Sequence, residues 1–280
     1  MNEQRGAAAR YDFGRNWDAF AANLEEEAIE HAVSNLAILT HNSIGERFLD
    51  IGSGSGIHSL AALRLGAKTV LCIDHDADSV ATTRSVLSRH ASGAEWQVRQ
   101  GDILAERADT THDRSGDQLF DTVYSWGVLH HTGDVWRALD NAITFVKPGG
   151  QLVIALYLKT HLCGFWRIEK LLYAKHPKVR PFIRWPFAGL LLLALSLRKW
   201  QRPRDILRNY RQQRGMSFIH DVDDWLGGYP YESVENDKVI TFVASQGFAL
   251  VDSFNITPSF GLFGSGCGEW VFRRREHVAH

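Results

Sequence analysis

The chain has 280 residues, 45% of them hydrophobic, which is ample for a substantial core and longer than one minimal α/β unit. A formal net charge of -1 gives no global field toward nucleic acid or an acidic membrane. Cys72, Cys163 and Cys267 are too scattered, and odd in number, to form a disulfide framework or a zinc pattern. Arg5, Arg10 and Asp12 interrupt the N-terminal stretch, so no continuous apolar leader is read there and a cytoplasmic enzyme is expected.

The first element is an aromatic lead-in, Tyr11-Asp12-Phe13-Gly14-Arg15-Asn16-Trp17, followed by helical periodicity over Leu24–Leu39. Residues 1–44 read as a helical cap, whereas 45–157 alternate strand and helix, the pattern of a parallel sheet covered on both faces. The first strand runs into Phe48-Leu49-Asp50-Ile51-Gly52-Ser53-Gly54-Ser55-Gly56, and helix formers continue from Ile57 to Leu65. Glycine permits the sharp turn and close ligand approach that a strand–helix junction needs, and the helix start presents unpaired N–H groups. A dinucleotide fingerprint needs glycine at the sixth position, where Ile57 stands. A phosphate loop needs Gly-Lys-Ser/Thr, yet no lysine precedes Lys68.

Further motifs follow in order. A second strand, Thr69–Asp74, ends in an acid suited to the two hydroxyls of a ribose. Gln100-Gly101-Asp102-Ile103 forms the next turn, the strand Phe120–Trp126 leads into Gly127-Val128-Leu129-His130-His131, and Lys147-Pro148-Gly149-Gly150 turns into a strand over Gln151–Tyr157. Taken together, roughly residues 45–157 resemble the class I (Rossmann-like) methyltransferases that use S-adenosyl-L-methionine (SAM), and within them the ubiquinone/menaquinone-biosynthesis type that acts on small molecules.

The resemblance implies a mostly parallel, Rossmann-like seven-stranded sheet with helices on both faces and an antiparallel C-terminal hairpin. It makes SAM the cofactor and S-adenosyl-L-homocysteine the product. The implied cofactor residues are Asp50, Gly52, Ser53, Gly54 and Gly56 in the loop, Asp74 on the ribose with His75 at the adenine edge, Asp102 on the adenine amino group and Ile103 on the ring face. Ser125 and Trp126 join the pocket beside the methionine half, and Tyr11, with Phe13 and Trp17, folds over it as a lid; His58 is not counted.

Residues 158–230 break the alternation and read as a helical insertion acting as a substrate lid, with residues 231–280 completing the sheet through a helix at about 232–246 and strands at 248–255 and 269–273. The run Leu190–Leu197, after Trp185-Pro186-Phe187, is too short to span a bilayer and is expected as a buried lid helix. Its sharper alternative is a membrane-surface helix flanked by Arg184, Arg198 and Lys199. The basic stretch Arg198–Arg214 reads as a solvated helix face, with phosphate or RNA binding as the alternative. Trp225, Tyr229 and Tyr231 are expected to form an aromatic substrate wall, against the plainer reading of a helix start at Asp221 and a tight turn.

Neither Asp74-His75-Asp76 nor His130-His131 with Asp134 is read as a metal site: the first follows a glycine loop that metal-holding sugar-nucleotide transferases do not require, and the adjacent histidines diverge on a turn with no third nitrogen or sulfur ligand nearby. His130 and His131 follow the fourth strand and are the candidate catalytic bases, His130 first, with helix capping as the plainer use of each. Alignment of nucleophile, methyl and sulfur supplies ~7–11 kcal/mol, against ~10²–10⁴-fold in rate from a base, so orientation dominates and a base is dispensable for a thiolate, phenolate or free amine.

The expected function is methyl transfer to an oxygen, nitrogen or sulfur atom of a small molecule. Alternatives are a lipid-like or quinone acceptor at a membrane surface, a SAM-binding regulatory protein without transferase activity, and an RNA-directed enzyme. Two departures bear on the acceptor. The insertion is longer and more apolar than a minimal quinone-type enzyme requires, and Ser125-Trp126-Gly127-Val128 stands where many base-amine methyltransferases carry Asn/Asp-Pro-Pro-Tyr.

Overall fold

A computed structural model describes residues 24–109, 118–214, 217–257 and 260–276, with side chains of 211–214 excepted. The expected lid residues Tyr11, Phe13 and Trp17 lie outside the described residues. Seven strands form one sheet in the order β3-β2-β1-β4-β5-β7-β6. They are β1 (Arg47–Ile51), β2 (Thr69–Asp74), β3 (Glu95–Gln100), β4 (Phe120–Trp126), β5 (Val146–Tyr157), β6 (Phe248–Phe254) and β7 (Cys267–Arg274). The first five pair in parallel, and β7 runs antiparallel between β5 and β6. The chain reverses its direction of travel across the sheet between β1 and β4, the kind of place where ligands bind beyond the carboxyl ends of parallel strands.

Helices cover both faces because the central strands are apolar on both. On one side α1 (Glu26–Leu39), α2 (Ile57–Arg64) and α3 (Ala77–His90) bury Ile29, Leu36, Leu60, Val86 and Leu87 against Phe48, Val70 and Cys72. On the other, α4 (Val135–Thr144) and the later α9 (Asn236–Ser245) bury Leu139, Ile143, Val239 and Val243 against Leu49, Val123, Ile154 and Trp270. Side-chain caps fix two of the helix starts: Asp76 accepts from the Asp78 N–H, and Asp134 from the Arg137 N–H.

The insertion is helical: α5 (Cys163–Lys175), α6 (Arg180–Lys199), α7 (Pro203–Arg214) and α8 (Phe218–Gly227). It has its own small core of Tyr173, Ala188, Phe218, Val222 and Leu226. Two expectations change here. The Leu190–Leu197 run lies in a 20-residue helix, but not a buried one: in α6 only Ala188 and Ser196 are fully buried. It packs on α7 and α8, and Phe182, Trp185, Leu190, Leu193 and Leu197 are exposed on its other side. The helix expected to begin at Asp221 begins instead after Ser217, whose side chain accepts from the His220 N–H, and so Trp225 stands on a helix rather than a loop.

Candidate functional site

The loop after β1 is set by its glycines and by ties to neighbouring elements. Gly52 has φ +78, and a Cβ there would lie 2.4 Å from both γ-carbons of Val128. Its N–H donates to the Ile73 carbonyl (2.7 Å), which locks the loop to β2. Gly56, also at positive φ, caps α2 with Thr83 pressed against it. Thr83 further straps the loop, its Oγ1 donating to the Gly54 carbonyl (3.0 Å) and lying 3.0 Å from Ser53 Oγ.

The Asp74 carboxylate is held in place by backbone on two sides. Oδ2 accepts from the Gly54 N–H and Oδ1 from the Asp76 N–H, each at 2.9 Å. Each oxygen keeps a second lone pair for a ligand hydroxyl. Burial pushes its pKa up, against those two hydrogen bonds. On the next turn, Asp102 Oδ1 accepts from the Leu104 N–H (3.0 Å), while Oδ2 lies 3.7 Å from His75 Nδ1.

These elements open into a cavity of about 2340 Å³ bounded by the carboxyl ends of β1 to β5 and, across from them, by the insertion. Of the residues singled out from the sequence, the wall takes Gly52, Ser53, Gly54, Asp74, His75, Asp102, Ile103, Trp126, His131, Trp225 and Tyr229. The others stand behind it. Asp50 is buried under the loop, accepting from Ser59 Oγ at 2.5 Å; burial pushes its carboxyl up to about 7, with the Asp74 charge adding to the rise and the Ser59 bond opposing it. Gly56 belongs to the helix cap. Ser125 is fully buried, its Oγ donating to the Ile51 carbonyl (2.9 Å) and so aligning the ends of β4 and β1. Tyr231 turns inward, its hydroxyl meeting Ser265 Oγ and Cys163 Sγ, so the aromatic wall on this side is Trp225 and Tyr229 without it.

The histidine pair separates in the same way. His130 is wholly buried, its Nδ1 accepting from the Tyr157 N–H at 3.4 Å, and burial holds its pKa well below the ordinary histidine value. His131, not His130, reaches the cavity. Its Nδ1 donates to the Pro230 carbonyl (2.7 Å), which makes Nε2 the basic nitrogen of the neutral ring. Burial lowers its pKa to about 4, although the Pro230 contact opposes the fall.

Three wall residues were not counted in the site read from the sequence. Tyr157 ends β5 at the same sheet edge, stacking edge-on against His131 (5.2 Å) and Trp225 (5.1 Å); its place as the last residue of a strand was the available signal. His58 lies on the wall within ring contact of Tyr124. Glu269 reaches the wall from β7 and accepts from Trp126 Nε1 (2.9 Å), a pairing of residues 143 positions apart that no local pattern announces. Beneath Trp225, the buried Lys170 ammonium lies 3.6 Å from the ring centroid and donates to the Trp225 carbonyl. Burial lowers the Lys170 pKa to about 7.

The charge of the sheet-side wall selects among cofactors. Among the described residues it carries Glu25, Glu27, Asp74, Asp76, Asp78 and Asp102, and its stretch from Leu24 to Tyr157 contributes no lysine or arginine. A pyrophosphate would meet mainly like charge there, the cavity's arginines and lysine, Arg198, Lys199 and Arg208, standing on the insertion side. A nucleoside carrying a sulfonium and an ammonium meets opposite charge, a carboxylate for its ribose and a second one at the base. The residues present fit SAM.

Comparison with known proteins agrees. The family described as methyltransferase domain matches residues 12–244. A tRNA U34 carboxymethyltransferase of Methylococcus capsulatus is 34% identical over 135 residues, 48% of this chain and 36% of that protein. A ubiquinone biosynthesis O-methyltransferase of Brucella ovis is 34% identical over 116 residues, 41% of this chain and 43% of that one. The chain thus spans less than half the length of these curated relatives. The N-methyltransferase NodS of Bradyrhizobium japonicum WM9, solved with S-adenosylhomocysteine, superposes with a TM-score of 0.53 over 96% of this chain and 100% of that one; at 14% identity the likeness is one of fold. This chain belongs to the methyltransferase-domain family and has the Rossmann-like fold of a class I methyltransferase.

Proposed function

We propose that the protein transfers a methyl group to an oxygen, nitrogen or sulfur atom of a small molecule by in-line displacement. One observation carries the reading: the acidic, glycine-bounded wall and the aromatic surface of Tyr157, Trp225 and Tyr229 face the same cavity, so cofactor and acceptor share one space. SAM, when bound, supplies an activated methyl on a sulfonium. Asp74 takes the ribose hydroxyls, Asp102 and Ile103 the adenine, and the Gly52–Gly54 backbone lets the cofactor approach the sheet edge. Trp225 and Tyr229 hold an apolar or aromatic acceptor body from the opposite side.

His131 borders the acceptor side of the cavity beside Tyr157, its ring held by the Pro230 and Gly228 backbone. With its pKa near 4 it is a weak base at neutral pH, so its main effect is orientation. In this division the core is residues 45–157 with 231–280, the substrate lid 158–230, and the cap 1–44. Three cysteines outside any disulfide suit a cytoplasmic setting. A lipid-like or quinone acceptor is the second reading, favoured by one observation: α6 lines the cavity on one face and leaves the other apolar and open.

The test is mass spectrometry of acceptor panels (phenols, thiols, amines, each with hydrophilic and apolar members) incubated with the protein and SAM. One added methyl on a member of the panel is expected. His131→Gln should lower kcat about tenfold, less than the ~10²–10⁴-fold loss of a true general base. A protein that binds SAM fully yet methylates nothing across the panels contradicts this reading while leaving the cofactor in place.

A further inference from the structure

Helix α6 has two faces with different surroundings. Ile183, Phe187, Ala188, Leu191, Leu192 and Leu195 form its inner face, packed on the insertion core. Of these, Phe187, Leu191 and Leu195 also line the cavity. Phe182, Trp185, Leu190, Leu193 and Leu197 recur at helical spacing on the other side and are 54% to 79% exposed. Trp200, just past the helix, is 95% exposed. On α5, Phe165, Ile168 and Leu172 make a second exposed stripe.

A monomer rarely leaves this much apolar surface on two adjacent helices without a use. The charge around it says what the use is. From Lys175 to Arg204 the chain has eight lysines and arginines and no acid, of which Arg184 is paired with Asp223 of α8 (3.1 Å). Lys175 and Lys178 sit at one end of α6, and Arg202 and Arg204 at the other, next to Arg198 and Lys199, which also border the cavity. An apolar stripe with cations at both ends, lying parallel to the protein surface, is the pattern of a helix that rests in a headgroup layer and meets anionic lipid with its ends. Helix α6 is also long and apolar enough to cross a membrane by length and composition. Its inner face is committed to α8 and the cavity, which keeps it in the plane of the surface.

We propose that the α5–α6 face docks on the surface of an anionic phospholipid bilayer. Building on the methyl-transfer reading, the acceptor is then a bilayer-resident apolar molecule that passes beside α6 into the cavity. The helix separates the two spaces, with lipid on one face and the acceptor's path on the other.

The test is flotation of the full chain with vesicles of phosphatidylcholine alone or mixed with phosphatidylglycerol. It needs neither cofactor nor acceptor, and SAM calorimetry on the same samples tells its failure apart from failure of the methyl-transfer reading. The chain is expected to float with the mixed vesicles and at least tenfold less with phosphatidylcholine alone. The double variant Phe182→Glu/Leu193→Glu, at two exposed positions outside the cavity wall, should lose flotation at least tenfold while its SAM affinity and melting temperature stay unchanged. Absence of flotation by the wild-type chain overturns the proposal, as does a double variant that floats equally well. Sedimentation showing a dimer that this variant dissociates, without flotation, assigns the face to a second copy of the chain and overturns it too.

Discussion

The sheet edge and the helical insertion meet across one cavity, yet they are built on different principles. At the sheet edge, backbone fixes side chains: Asp74 is held by two N–H groups, Gly52 by an N–H and a carbonyl across to β2, and the loop by Thr83. In the insertion, side chains fix side chains: Trp225 is placed by Lys170 beneath it and Tyr157 beside it, on helices whose own core is small. The first arrangement suits a cofactor that is always the same. The second can be rebuilt for a new acceptor without disturbing the sheet, which is one way a single fold serves many chemistries.

The largest expected effect breaks the sheet edge. Gly52→Val places branched carbons where Val128 already stands and forces a β-branched residue to φ +78. We expect it to lose about 3 kcal/mol or more of stability in urea unfolding, from overpacking together with left-handed strain. Val128→Ala in the same chain should restore part of the loss; no recovery would show that the contact with Val128 is not the cause.

The next effect depends on pH and separates two groups near the loop, the half-buried His58 and the buried Asp50. Burial lowers the His58 pKa to about 4, so the folded ring stays neutral while the unfolded one takes a proton below its ordinary 6.5. Folded protein therefore binds fewer protons in that window, and stability falls as pH drops from 6.5 toward 4. Asp50 acts in the opposite sense: raised to about 7, it holds a proton that the unfolded chain releases above 3.8, so its contribution grows as pH falls through the same range. His58→Gln should therefore flatten the acid loss, by about 2 kcal/mol between pH 6.5 and 5, and Asp50→Asn should steepen it. Denaturant midpoints of the three proteins at both pH values check the signs; variants that shift in the same direction would contradict them.

A smaller effect sharpens the boundary between the two regions. Lys170→Met removes the cation under Trp225 but keeps the volume. It should raise the acceptor KM several-fold and leave SAM affinity and kcat nearly unchanged, as steady-state kinetics and calorimetry would show. A weakened SAM affinity would mean that the two regions are coupled. Smallest of all, Ser53→Ala loses only the Ser53–Thr83 hydrogen bond, a change of about 1 kcal/mol in unfolding free energy.

The same contrast explains what could be read from the sequence. Asp50 through Gly56, Asp74 and Asp102 follow one another along strands and turns, so local spacing announced the fold and much of the sheet-side lining of the cavity. Strand β2 ends at Asp74, where it was expected, and α9, β6 and β7 fall within a few residues of their expected places. Which side of each residue faces the cavity is decided by packing that spacing does not carry. Asp50 and Ser125 carry polar groups at loop and strand ends, yet both turn them onto Ser59 and Ile51. His130 and His131 are adjacent, and only the short helical turn over Leu129–His131 sends one inward and the other to the wall. The exposure of α6 was missed because an apolar run reads the same whether protein or something else covers it.

The central claim is that the acidic sheet edge holds SAM. Calorimetric titration with SAM and, separately, NADH, on the wild-type chain and Asp74→Ala, tests it most directly. The account predicts micromolar SAM binding, at least tenfold weaker in the variant as charge-assisted hydrogen bonds to the ribose are lost, and no binding of NADH. A folded protein that binds NADH, or binds SAM equally well without the Asp74 carboxylate, would contradict it.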